Sequence, residues 1–215
     1  MKTLDLKKDL RYLYVPSARR VEAVHVPRLQ FAMIDGRIEP SQGPSSSPAF
    51  QEATTALYSV AYTLKFTLKK RPKNPVDYPI MALEGLWWVE DGAFDIAKPD
   101  NWHFTLMMLL PEVISRDLFE TAKGEVGRKR GDTPALRRLR LKHFKEGLCM
   151  QVMHIGPYGE EPATVQRMHD FAAGNGYVDL VGSGGKHHEI YLGDPRRANP
   201  AKLKTVVRHP IRKVK

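Results

Sequence analysis

The chain has 215 residues, 42% of them hydrophobic, enough to bury a core, and no apolar run approaches the ~20 residues of a membrane span. The first residues, MKTLDLKKDLRYLYVP, lack the apolar stretch of a secretory leader, and the lone Cys149 excludes an intramolecular disulfide, so a cytoplasmic protein is expected. The net charge of +10 comes mostly from Lys and Arg before Arg28, over Lys123 to Lys145 and after Arg196, without any helix-turn-helix, zinc-finger or RNP-type pattern, so no specific nucleic acid is expected as partner.

Leu4, Leu6, Leu10 and Leu13 have the spacing of a short amphipathic helix that Pro16 ends. Val21 to Val26 reads as a short strand, and Pro27-Arg28 is expected to turn into a second strand, Leu29 to Gly36. Glu39 to Pro48, rich in Pro, Ser and Gly, reads as a connector. A helix follows over Ala49 to Lys70, with an apolar stripe of Leu57, Ala61, Leu64 and Leu68 and with Tyr58 and Tyr62 four apart on one face. Strands at Tyr78 to Val89 and Trp102 to Leu110 flank the turn-rich EDGAFDIAKPDN. Glu112 to Arg138 reads as helices broken near Gly131 and Pro134. Leu139 to Gly147 then leads into an apolar strand, Leu148 to Tyr158, whose Gly156-Pro157-Tyr158-Gly159 turn puts Tyr158 at a rim. A helix at Glu160 to Gly176, a strand at His187 to Pro195 and a last strand at Lys204 to Pro210 complete the chain.

The chain thus carries one pattern twice: strand, helix, strand, strand. The expected organisation is a single unit over 1–215, with a first repeat at about 21–111, connecting helices at about 112–138 and a second repeat at about 139–210. The expected fold is α+β, pseudo-symmetric, with antiparallel sheets around a central ligand groove. Glu84 and Glu189 occupy matching aromatic strands, so a carboxylate from each is expected to face the seam. Strand alternation puts Glu84 with Trp88, opposite Trp87, and puts His187, Glu189 and Tyr191 opposite His188, Ile190 and Leu192. Ile190 and Leu192 suit packing under a helix, which leaves Glu189 and Tyr191 looking out of the helix layer.

The runs HIGPYGEEPATVQRMHDF and GKHHEIYLGDPRR, with FQEATTALYSVAYTLKF and LEGLWW upstream, resemble the GyrI-like small-molecule-binding domain, and more narrowly its stand-alone subfamily, over roughly Lys7 to Pro210. The resemblance implies two halves around a groove and a groove glutamate, which the EIYL context matches to Glu189. It also implies binding of hydrophobic, often cationic or aromatic xenobiotics, as in multidrug-sensing domains of transcription regulators. Stand-alone members that hydrolyse the cyclopropyl ring of DNA-alkylating cyclopropanoids do so with an aromatic cage.

Such a reaction needs a flat aromatic pocket, a delivered water and a donor for the negative charge that develops on a carbonyl oxygen. Tyr58, Tyr62, Trp87, Trp88 and Tyr191 supply aromatic surface, with His187 on the Glu189 face; in a regular strand only one of Trp87 and Trp88 can point into the groove. Glu189 is the first choice for general base and Glu84 the reserve, each expected to have a raised pKa among aromatic rings, while Tyr158 or Tyr191 donates to the oxyanion. No cofactor is expected. His154, His169, His187 and His188 lack metal-ligand spacing, and Cys149 lacks a basic partner for covalent catalysis. The alternative function is a non-catalytic module that binds or sequesters small molecules, tied to transcription through a partner in trans.

Overall fold

In the computed structural model, which describes residues 1–91, 94–98 and 101–214, the longest strands run sixteen residues each, because the short lead-in strand of each repeat continues into the next. The chain starts with β1 (Lys2–Thr3) and two helical turns, α1 (Leu6–Asp9) and α2 (Arg11–Tyr14). Then comes β2 (Glu22–Arg37), which passes Pro27 without the expected turn. Pro27 lies where β2 pairs on one edge only, the setting in which a sheet tolerates a missing N–H. What the residue marks is a change of parity. Val24 and Val26 pack inward before it and Leu29 and Phe31 after it; on the paired strand Phe144 gives way to Cys149, across Gly147 at φ +85°.

Helix α3 (Pro48–Lys69) starts at Ser47, whose hydroxyl accepts from the Phe50 N–H, and buries Leu57, Ala61, Leu64 and Leu68 as its stripe requires. After β3 (Val76–Asp77), paired with β1, come β4 (Leu83–Trp88) and β5 (His103–Leu109). The loop between them includes 92, 93, 99 and 100, which lie outside the described residues. Helices α4 (Arg116–Arg130) and α5 (Pro134–Arg138) break at Gly131, where φ is +94°. The second copy supplies β6 (Arg140–Ile155), α6 (Glu161–Gly174), β7 (Tyr177–Asp179), β8 (His187–Tyr191) and β9 (Lys204–Lys213). Strand β7 was not expected. Strand β9 continues past Pro210, where its partner changes from β6 to β7.

The fold is α+β, and the strands of both copies share one antiparallel sheet. The order β6-β2-β5-β4-β8-β9 closes through a β9–β6 pairing into a six-stranded ring, which removes free edges. Helix α3 packs on β2 and β5, and α6 on β6 and β7. The main apolar cluster spans both faces of the sheet, from the ring interior (Leu13, Phe31, Ile190) to the contact with α3 and α4 (Leu57, Leu64, Phe119); a smaller one, Met150, Val152, Met168, Ala172 and Val207, lies under α6. No described helix is long and apolar enough to cross a membrane.

Candidate functional site

The register of β4 against β8 decides what the two glutamates do. Gly85 pairs with Glu189, Trp87 with His187 and Leu83 with Tyr191, while Glu84 pairs with Ile190. Paired residues share a face, so Glu189 and Glu84 point to opposite sides of the sheet. This corrects the expectation that both carboxylates face one seam. The resemblance between the two strands is offset by one residue from their structural equivalence, and the residue across from Glu189 has no side chain. A second correction follows. Ile190 points into the ring, and Glu189 looks toward the helix layer, between the starts of α3 and α6.

Glu84 belongs to the ring interior. It accepts from the Tyr14 hydroxyl at 2.6 Å and meets His188 Nε2 at 3.1 Å; His188 Nδ1 meets Glu146 at 3.0 Å, and Arg208 reaches Glu146 at 3.4 Å. Arg208 also donates to Gln151 and to the Leu13 carbonyl, and Gln151 to the Tyr12 carbonyl. This network ties the N-terminal segment to the inside of the ring and holds Glu84, 1% exposed, on the face of the sheet opposite Glu189. Trp88 shares its parity. It stands at the end of β4 with the Lys186 ammonium 3.1 Å from its ring centre.

On the other face the structure brings together Glu189, Tyr191, His187, Trp87 and Tyr158, and adds one residue that sequence reasoning missed, Glu161. The Trp87 indole donates to the Tyr191 hydroxyl at 3.0 Å, and burial, then the charge of Glu189, raise that hydroxyl's pKa well above its usual value. Space here is tight. A Cβ on Gly85 would come within 2.8 Å of the indole nitrogen and 3.2 Å of the Tyr191 oxygen. Tyr158 meets Tyr191 edge-on at 6.0 Å and is 37% exposed at the rim. Phe94 stacks on His187 at 5.3 Å and, with Trp87, Trp88 and Lys186, lines an adjoining cavity of about 260 Å³. A larger cavity, of about 570 Å³, lies against the first turns of α6 among Ala18, His154 and Arg167, away from Glu189. Tyr58 and Tyr62 stand apart from this cluster. They stack at 6.4 Å along α3, Tyr62 being exposed, and Tyr58 feels the charges of Asp194 and Arg196 in the loop after β8.

Glu161, the first residue of α6, is buried, and its Oε1 has no hydrogen-bond partner among the described residues. Burial, then the charge and hydrogen bond of Glu189, push its pKa well above the ordinary carboxylate range. Burial pushes Glu189 upward too, but hydrogen bonds from His187, Tyr191 and Glu161 outweigh it and hold Glu189 below its usual value. The expectation of a raised pKa at Glu189 is therefore corrected: it belongs to the partner. Opposite shifts in two adjoining carboxyls are those of a pair that shares one proton, with Glu161 the better holder of it and Glu189 the better anion. Burial and the Glu189 charge also raise the Tyr158 hydroxyl, which stays a donor.

Behind Glu189 an imidazole line continues. His187 Nε2 meets Glu189 at 3.0 Å, His187 Nδ1 meets His209 Nε2 at 2.7 Å, and His209 Nδ1 meets Asp179 at 2.6 Å. His169 lies 3.3 Å from the same Asp179 oxygen. The sets Glu161–His187–Glu189 and His169–Asp179–His209 each offer three donor atoms within 4.8 Å. The 2.6 Å contact is shorter than the ~3.3 Å between two ligands of a tetrahedral ion, and is that of a hydrogen bond.

The chain matches the model of the GyrI-like small-molecule-binding domain over residues 117–212. Among solved structures it is similar to an uncharacterized conserved protein from Listeria innocua, at 37% identity and a TM-score of 0.87, covering 97% of this chain and 100% of that one. It is similar to a Listeria innocua hydrolase encoded by lin2189, at 36% identity and a TM-score of 0.83, covering 98% and 100%. The C-terminal domain of EcmrR shares the fold at 11% identity and a TM-score of 0.54, covering 91% and 98%. No curated protein matches the chain.

Proposed function

The chain belongs to the GyrI-like small-molecule-binding family, and from that premise we propose that its groove takes flat hydrophobic compounds and hydrolyses the cyclopropyl ring of cyclopropanoid DNA alkylators, without a cofactor. The observation that carries the reading is the buried carboxyl pair, one member ionised, set against Tyr191, Trp87 and the rim hydroxyl of Tyr158. A pocket built only to hold an apolar ligand has no use for two carboxyls buried side by side, which cost stability.

In the proposed reaction Glu189 accepts a proton from a water as its oxygen bonds to the unsubstituted ring carbon. The carbon–carbon bond breaks, its electron pair enters the conjugated ring, and the carbonyl oxygen becomes a phenolate. Tyr158 donates a hydrogen bond to that oxygen. Glu161, holding its own proton, hydrogen-bonds Glu189 and keeps one carboxylate free to accept. The similarity to a protein called a hydrolase at 36% identity supports an enzyme. Glu84, in the ring interior, takes no part.

The test is incubation with a duocarmycin-type cyclopropanoid, followed by mass spectrometry. Wild type is expected to form the water adduct over many turnovers, and Glu189→Gln to lose roughly 10²–10⁴-fold in rate while still binding. Tight binding by wild type without an adduct refutes hydrolysis and leaves a drug-binding module.

A further inference from the structure

The line behind Glu189 has an arithmetic of its own. Glu189, His187, His209 and Asp179 make three contacts in series, at 3.0, 2.7 and 2.6 Å. Each contact needs one proton. Two ionised carboxylates supply none, and two neutral imidazoles carry one N–H each. Three contacts therefore meet two protons, and one junction would set two lone pairs against each other. His187 and His209 are buried, so water does not fill the deficit.

The geometry points to a proton store behind the groove: Asp179 and His209 are positioning residues that hold a third proton on the His187–His209 pair, and so keep Glu189 ionised. With that proton every contact is a donor–acceptor pair, and a single positive charge, shared by the two imidazoles, lies between two carboxylates. Glu161 and Tyr191, the other titratable groups facing Glu189, each give it a hydrogen bond, and Tyr158 faces it from the rim. Asp179 faces His209 from β7 and His169 from α6, and its second oxygen accepts the Val181 N–H at 2.9 Å. His169, 48% exposed at its side chain, gives the store its contact with solvent.

The inference rests on Glu189 as the acceptor in the groove, but it is read without turnover. In protein labelled with carboxyl-¹³C glutamate, Glu189 is assigned by its loss in Glu189→Gln, and its titration is followed by NMR. Asp179→Asn keeps an acceptor for His209 and removes the outer negative charge, so the third proton moves toward Glu189. Its titration is expected to rise by on the order of one pH unit. His209→Gln, which can bridge but cannot hold a proton, must move it the same way. A Glu189 titration unchanged in both variants overturns the store, because a merely structural role would alter stability without moving that midpoint. If wild type proves not to turn over cyclopropanoids, the hydrolase reading fails while the titration still decides this one.

Discussion

Replacing His188 with leucine tests the ring-interior network in a way that owes nothing to function. His188 lies between Glu84 at 3.1 Å and Glu146 at 3.0 Å, and all three side chains are at most 4% exposed. Burial alone would push the His188 pKa down, but Glu146 and Glu84 outweigh it and hold it above the ordinary histidine value. Burial would likewise raise Glu146, which His188 and Arg208 hold below its usual value. His188→Leu leaves Glu84 with the Tyr14 hydroxyl alone and Glu146 with one long contact to Arg208. Removing one partner of a buried pair costs about 3–5 kcal/mol, a large share of the ~5–15 kcal/mol of a whole domain. Urea unfolding at neutral pH should show that loss as a lower midpoint at unchanged slope. The pH dependence follows from the signs. The His188 contribution is complete below the unfolded histidine pKa and is lost as pH rises through the raised folded value. The Glu146 contribution is present above the unfolded glutamate pKa and is lost as pH falls through the lowered one. Wild type should therefore be most stable between those limits, and the variant should lack the loss on the alkaline side. A cost under about 1 kcal/mol, typical of exposed pairs, would refute the reading of a buried lock.

Gly85→Ala should cost about 1–3 kcal/mol, the range for overpacking, because its methyl group meets the Trp87 indole nitrogen and the Tyr191 hydroxyl; chemical denaturation together with indole fluorescence checks it, and an unchanged midpoint sinks the claim. Glu161→Gln should stabilise the protein increasingly as pH rises above the ordinary carboxylate range. A buried acid with a raised pKa loses stability on ionising and an amide does not, so equal pH profiles for variant and wild type would count against the pair.

Most elements were legible because their periodicity reflects what they pack against. The α3 stripe, the Gly131 break and the antiparallel class all follow from local pattern. Two-residue alternation also sorted Trp87 from Trp88 and Glu84 from Leu83 correctly. It could not say which sorted face meets which, because register between distant strands is set by the whole ring and a one-residue slip reverses every assignment. Glu161 escaped because acids in the first turn of a helix are ordinary complements to its dipole, and nothing local marks one as buried. Asp179 and His209 escaped for a related reason: β7 has three residues and no periodicity, and the contact between them joins strands thirty residues apart.

The HHE run of β8 shows why strand parity carries the argument. Adjacent histidines point to opposite faces, so His187 and His188 each meet a glutamate that the other cannot reach. His188 serves the interior, where the charged network has a structural duty: through Arg208 and Gln151 it holds the backbone of Leu13 and Tyr12, closing the ring with the N-terminal segment. The outward line has no such duty. Among the described residues His187, His209 and Glu189 anchor no backbone group, Asp179 holds only the Val181 N–H two residues on, and β8 and β9 are already paired by their own ladder. Burying a carboxyl pair and two imidazoles carries a desolvation cost, and apolar side chains of like volume, packed against Phe94 and Val207, often match or exceed the stability of such a buried charged group. Stability alone therefore accounts for the interior network, while the outward one is accounted for by the chemistry proposed for the groove.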